Sequence, residues 1–426
     1  MRTIEPHGSR EMGTSHLGRS TGGLDAETVP AYDPFSYRIH EDPYPTFAWM
    51  REHAPLYRNE RYDFWALSRY DDVLGALRNP ALYSSRNGIS LEPDLWGPDS
   101  VKTSGFLAMD PPEHGVMRRL MGTVFKTRWV QSMEPRIREL ARARLDPLMD
   151  RDAFDFAGDF AAALPNDIMC EVMGIPAADR DQIRIDNDVL NHCEDGTEVR
   201  SQETIDAARR LAVYYVGFIH ERRRRPGDDL TSALIAARVD DKPLTDSQLV
   251  AFLFLLVSAT NESTGKLIGN AWYHGWRLPH VQRAGLDGRA RDWGNETLRY
   301  DSPSQMMART LTADTDLHGT RVPAGARIAV LPASANRDHR VFAEPDEFSL
   351  DRDTSKHISF GHGPHFCLGA ALAQLEITVA LDELGQRISS YEIDIARARR
   401  IHSPHQRGFA YLPTTVARRP RGRSAV

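Results

Sequence analysis

After Pro30 the chain alternates between segments with apolar residues at helical spacing and short apolar runs separated by polar links. The pattern predicts helices over Pro43–His53, over Tyr70–Arg78 with Asp71 and Asp72 near its start, and from Glu113 through Arg119. Tyr57 and Phe64–Ser68 read as short strands, and Val322–Arg327 as a turn between strands. Tyr83–Gly105 is rich in Gly, Pro and Ser and predicts a long loop; such loops in packed domains usually carry function or disorder. Glu221–Asp229 sets a run of arginines before Pro226 and Gly227, which suits the solvated end of a helix.

The longest periodic segment begins at Thr245, with Gln248 three residues on completing a capping box, and runs to about Leu278, before Pro279. At about 1.5 Å per residue it would span about 50 Å. Leu249–Val257 is apolar nearly all round, so this half should cross the interior. The apolar run then breaks into Ser258-Ala259-Thr260-Asn261-Glu262-Ser263-Thr264. Polar groups inside a buried helix cost free energy unless they are bonded or used, and Ser or Thr there bond back to the i−4 carbonyl and loosen the helix.

Met1–Val29 is polar, glycine-rich and aperiodic, which predicts a disordered tail. Residues 30–420 are expected to form one domain and residues 421–426 a short C-terminal tail. A chain of 426 residues with 41% hydrophobic and 26% charged positions has the balance of a soluble globular protein. Its net charge of −6 argues against general nucleic-acid binding. Three cysteines, Cys170, Cys193 and Cys367, give no disulfide framework and suit a reducing cytoplasm. Cys170 and Cys193 read as ordinary core or surface thiols. No secretory signal opens the chain, and the longest apolar run, Leu249–Ala259, is too short to span a bilayer. A cytoplasmic protein without a membrane anchor is expected.

The third cysteine is different. Phe360-Gly361-His362-Gly363-Pro364-His365-Phe366-Cys367-Leu368-Gly369 places it in a glycine-punctuated loop, and Ala370–Ile388 then reads as helix. A thiol near a helix N-terminus sits among free N–H groups at the positive end of the dipole, which predicts a lowered pKa. A thiolate held this way is a natural axial ligand for haem iron. Zinc held by His357, His362, His365 and Cys367 is the mixed-ligand alternative, but the spacing lacks the usual ligand pairs. A purely structural cysteine would leave the three glycines around it unexplained.

The pattern Phe-x-x-Gly-x-His-x-Cys-x-Gly resembles the haem-binding signature of the cytochrome P-450 family, and the likeness extends from about Tyr32 to Pro413. The resemblance implies a mainly α, triangular fold with a small β-rich lobe, and haem b between the long central helix and the Cys367 helix. Cys367 would ligate the iron, Phe360 would pack beside it, and His365 would meet a propionate. Asp110-Pro-Pro-Glu-His-Gly-Val-Met-Arg-Arg resembles the family's entry to a second haem-contacting helix, which makes His114 and Arg118 propionate ligands. Arg309, on a probable strand, is another. The polar break resembles Ala/Gly-Gly-x-Asp/Glu-Thr-Thr/Ser, the family's oxygen-activation groove. Glu262 takes the acid position and Ser263 the hydroxyl position, while Thr260 stands where the family mostly has Gly. Glu296 and Arg299 match a structural Glu-x-x-Arg pair, whose third member would be Arg337 or Arg352.

The activity implied is insertion of one oxygen atom from O₂ into a hydrophobic small organic substrate of bacterial secondary or xenobiotic metabolism. Without a flavin or iron–sulfur region in the chain, electrons from NAD(P)H would arrive through a separate ferredoxin and ferredoxin reductase. Their docking face would lie near Arg118, Arg119, Lys126 and Arg128. Candidate pocket positions are Ile89, Leu91 and Trp96 of the long loop, with Leu256 and Thr260 of the central helix. Met306, Met307, Phe409 and Tyr411 come from later segments. Coupling, desaturation or peroxide-driven oxidation, and a haem- or ligand-binding protein without turnover, are the alternatives.

Overall fold

The computed structural model describes residues 31–122 and 125–420, and of Asn261 and Glu262 the backbone alone. The two predicted tails lie outside the described residues. Helices supply most of the frame: α1 Tyr44–His53, α2 Tyr70–Arg78, α3 Glu113–Gly122, α4 Glu134–Leu148 and α5 Ala163–Met173. They are followed by α6 Arg180–Leu190, α7 Gln202–Arg224, α8 Asp246–Arg277, α9 Ala290–Tyr300 and α10 Ala370–Arg387. The 32-residue α8 is the axle, packing against α5, α7, α9 and α10. Its start is fixed as the sequence requires. Gln248 N–H donates to Thr245 Oγ1 at 3.3 Å, and Thr245 N–H donates to Gln248 Oε1 at 2.9 Å. Pro279 follows its last turn and cannot continue it. The polar stretch Ser258–Thr264 stays helical throughout.

The β-rich part is small. β1 Leu56–Asn59, β2 Phe64–Leu67, β3 Tyr83–Ser84, β5 Met307–Leu311 and β6 Arg327–Val330 form one sheet in the order β1-β2-β6-β5-β3. β6 runs parallel to β2 and antiparallel to β5, with Ile328 opposite Arg309. A second sheet has the order β7-β10-β4, from β7 Ile388–Ile393, β10 Pro413–Arg418 and β4 Ala153–Asp155. The hairpin β8 Arg399–Arg400 and β9 Phe409–Tyr411 completes the C-terminal part.

Trp272 of α8 marks the centre of the largest core, stacked between Phe156 at 4.4 Å and Tyr391 at 3.4 Å between ring centroids. The predicted loop over Tyr83–Gly105 holds β3, a tight turn at Pro93–Leu95 and the short helix Val101–Ser104, and its last residue opens a second tight turn, Gly105–Ala108. The arginine run closes α7 as expected, but it is anchored as well as solvated. Arg222 pairs with Asp229 at 3.0 Å, and Arg223 pairs with Asp246 at the start of α8. Among the described residues no helix is long and apolar enough to cross a membrane.

Candidate active site

The cysteine loop turns on two glycines. Gly361 and Gly363 both have φ of +69°, and a Cβ on Gly363 would lie 2.6 Å from the Leu77 carbonyl oxygen, so a side chain is excluded there on both counts. Gly363–His365 makes one tight helical turn, Cys367 N–H donates to Phe360 O at 2.8 Å, and α10 starts three residues on. The Phe360 ring faces those of His357 and Phe366. The Cys367 side chain is exposed. Burial nevertheless pushes its thiol pKa up, outweighing the Gly369 N–H and the Arg118 charge that pull it down. The sulfur is thus reached by solvent yet desolvated by the protein around it. The expected low thiol pKa is thereby corrected: desolvation outweighs the helix terminus, and a bound metal cation is what would deprotonate the sulfur.

Beside this thiol, four basic groups converge from two elements and the cysteine loop's own turn. α3 contributes His114, 1% exposed, and Arg118 one turn later; β5 contributes Arg309, 3% exposed; the loop contributes His365. The His114 and His365 ring centroids are 4.0 Å apart, and His365 Nε2 lies 3.4 Å from Ser85 Oγ. Burial, then Arg309, His114 and Arg118, push the His365 imidazole down to about 2. Burial lowers the Arg309 guanidinium to about 10, with Asp110 acting the other way. Among the described residues Arg309 donates only to the Ala308 carbonyl at 2.7 Å and to Met307 Sδ at 3.5 Å. His114 Nε2 is buried with no partner among the described residues. Asp110, whose charge acts on His114 and Arg309, accepts instead from Ser84 Oγ and Ser85 N–H. Among the described residues no carboxylate is hydrogen-bonded to any of the four. The cluster is short of anions by its own geometry.

A zinc set does not form. His362 turns to Arg78 and to Gly363 N–H, and His357 is half-buried near Arg299 and Glu296, its imidazole pushed down to about 4 by desolvation and then by Arg299. Among the described residues no three His, Cys, Asp or Glu side chains gather closely enough to hold a metal ion.

On α8, Ser263 Oγ donates back to the Ala259 carbonyl at 2.7 Å. Ala259 is exposed in a helix whose neighbouring turns are buried, so open space lies against this turn. Thr260 is half-buried; the side chain of Glu262 lies outside the described residues.

The remaining pocket candidates are spread over several apolar clusters. Leu91 and Met306 pack with Tyr32, Phe35 and Phe64, and Trp96 lies against them. Met307 joins the cluster around Leu67 and Ile328, and Leu256 belongs to the main core. Ile89 is held through its carbonyl by Ala308 N–H at 2.7 Å. Phe409 packs on Tyr273 of α8 at 4.9 Å, and Tyr411 lies under Arg399 at 5.1 Å.

A model of the family described as "Cytochrome P450" matches residues 294–415. "Putative cytochrome P450 123" of Mycobacterium tuberculosis is 44% identical over 392 residues, 91% of this chain and 97% of the relative. The chain belongs to the cytochrome P-450 family. Cyclomarin C epoxidase CymV of Salinispora arenicola is 35% identical over 81% of this chain and 88% of its own. The crystal structure of CYP109E1 from Bacillus megaterium in complex with testosterone covers 89% of this chain and 98% of that one, with a TM-score of 0.81 and 29% identity. The mainly helical architecture with its small β-rich part is the P-450 fold. P-450 proteins bind haem, and the residues here fit it. An open but deep thiol suits an axial sulfur ligand, and an anion-poor basic cluster with an orphaned His114 nitrogen suits a pair of carboxylates.

The P-450 ion-pair cluster is also resolved. Glu296 and Arg299 of α9 are fully buried and bonded at 2.6 Å, and Arg352 Nε donates to Glu296 Oε1 at 3.1 Å. Arg337 lies instead between Tyr44 and Tyr300, at 3.5 and 3.6 Å from the ring centroids. Sequence reasoning passed over two features of this P-450. Glu376 of α10 is 1% exposed with neither carboxylate oxygen partnered among the described residues, and burial raises its pKa well above the ordinary range. The only signal for it was an acid at an apolar position of that helix. Asn187 and Asp188 of α6 bond to α8 on either side of its polar turn; nothing local in the sequence announces a contact across that distance.

Proposed function

We propose that this P-450 is a haem-thiolate monooxygenase that inserts one oxygen atom from O₂ into an apolar small molecule. Bound haem supplies the activation of O₂. Cys367 is the residue to hold its iron, with Phe360 packed beside the sulfur loop. His114, Arg118, Arg309 and His365 are the residues to hold its propionates. Burying Arg309 and His114, with half-buried Arg118 and His365 beside them, without a bonded acid is costly, and a dianionic ligand removes that cost. This anion-poor cluster beside an accessible deep thiol is the observation that carries the reading.

Ser263 and Glu262 are assigned to proton delivery. The Ser263 hydroxyl has its own proton committed to Ala259 O in this state, so its lone pairs are free to accept from water. The epoxidase and the testosterone complex are other proteins with their own ligands. Their names support an apolar substrate of moderate size, with Leu256, Thr260 and Ile89 as candidate contacts. Electrons are proposed to come from NAD(P)H through a ferredoxin and its reductase. Arg119, Lys126 and Arg128 are exposed for docking, and exposed Phe366 neighbours the ligand cysteine. Arg118 is turned inward toward Cys367 and belongs to the haem rather than the docking face.

The test is spectroscopic. The purified, haem-loaded protein should give the red-shifted absorption of a thiolate-ligated, reduced, carbon-monoxide-bound haem, and Cys367→Ser should abolish it. A wild-type spectrum without that band, or a Cys367→Ser spectrum that keeps it, rejects the assignment.

A further inference from the structure

Resting on that reading, we propose that Asn187 and Asp188 of α6 are positioning residues that grip α8 on both sides of the proton-delivery turn and set the placement of Ser263. The turn needs outside support. Ser263 shares the Ala259 carbonyl through its own hydroxyl, an arrangement that bends and loosens helices. Thr260 adds a β-branched residue, and exposed Ala259 leaves the turn without packing on one side.

Two successive residues of α6 supply the support. Ser258 Oγ donates to Asn187 Oδ1 at 2.7 Å, with Asn187 1% exposed. Lys266 Nζ donates to Asp188 Oδ1 at 3.1 Å, the lysine side chain being only 8% exposed. The two grip points lie eight residues apart on α8, about 12 Å along the axis. Helical side chains tilt toward the N-terminus, the direction of the Ser263 turn. The stem is trapped: a Cβ on Gly408 would fall 2.5 Å from Lys266 Cβ. The adjacent residue seats α8 on another side, since a Cβ on Gly265 would lie 3.0 Å from both Ala161 O and Ala162 Cα. α6 is itself fastened to α7 by Arg210 on buried Asp186, and Arg184 approaches Asp188 at 3.4 Å. The turn is therefore clamped by backbone contact on one side and by α6 on the other. A misplaced proton donor loses rate steeply even for shifts of about 1 Å.

The test uses the haem-loaded full chain as wild type, Asp188→Asn, Asp188→Glu and Ser258→Ala. Ser258→Ala removes one grip without leaving a buried charge unpaired, so it carries the test even if Asp188→Asn folds poorly. Amide hydrogen exchange should rise roughly tenfold across 258–266 in Asp188→Asn and Ser258→Ala, with the rest of α8 unchanged; a tenfold change is about 1.4 kcal/mol. Asp188→Glu, which keeps the carboxylate, should restore it. With surrogate ferredoxin, reductase and NADPH, hydrogen peroxide released per NADPH should change at least twofold in the same two variants. Unchanged exchange at 258–266, or faster exchange along all of α8, overturns the proposal. If wild type lacks the thiolate-type carbon-monoxide spectrum, the monooxygenase reading fails instead; the exchange result still decides whether α6 holds the turn.

Discussion

Among the described residues, the α9 cluster and the cluster beside the cysteine loop each gather basic side chains, and they are built oppositely. At the α9 cluster every charge is answered. Arg299 donates to both Glu296 oxygens, at 2.8 and 2.6 Å, and to the carbonyls of Asn336, Pro345 and Glu347, at 3.2, 2.8 and 2.9 Å. Glu296 also accepts from Ser349 N–H and Arg352. At the cysteine loop Arg309 is as deeply buried, yet it finds one carbonyl and a thioether sulfur. The first cluster is complete within the polypeptide. The second has no bonded carboxylate among the described residues, an arrangement that suits an anionic ligand. Buried charge alone thus says little about role; what separates structure from function here is whether the partners are already present.

That contrast makes predictions of opposite sign. Glu296→Gln leaves Arg299 and Arg352 without their carboxylate in a dry site and should cost about 3–5 kcal/mol, read as a lower urea midpoint or lost soluble yield, with or without haem. Arg309→Leu should leave the haem-free chain at least as stable as wild type, because an unpaired buried cation is removed. In the loaded protein the same change removes a charge-assisted bond of about 1.5–3 kcal/mol, so haem transfer to apomyoglobin should speed up roughly 10- to 100-fold. Equal destabilisation of both forms would show that Arg309 serves the fold, and the contrast would collapse.

A smaller effect concerns a buried acid with no bonded cation among the described residues. Burial raises the folded-state pKa of Glu376 above its unfolded value. The stability of its neutral form is then fully present below the ordinary carboxyl range and is lost as pH rises toward the folded-state value. Glu376→Gln stays neutral throughout, so its melting temperature should exceed that of wild type by a margin that grows from pH 5 to pH 8. A constant margin would mean that Glu376 does not titrate in this way.

Much of the helical frame was legible because its signals are local. The Thr245 capping box, the Pro279 stop and the periodicity over Tyr70–Arg78 each act within a few residues, and the observed helices follow them closely. The spacing of His114 and Arg118 on one helix face was equally readable. Reach across the chain was not. Arg352 rather than Arg337 meets Glu296 because the segment after α9 folds back over it, and a linear pattern does not encode that return. The grip of α6 on Ser258 and Lys266 escaped for the same reason.

The amino-acid order alone settled the thiol in its glycine loop, the helix behind it and the long helix with its polar break, since each depends on propensity, capping and sterics between near neighbours. The three-dimensional packing decided which charges meet and which stay unanswered. It also decided that desolvation outweighs the helix terminus at Cys367, because electrostatic energy depends on distance and surroundings that only the assembled fold sets.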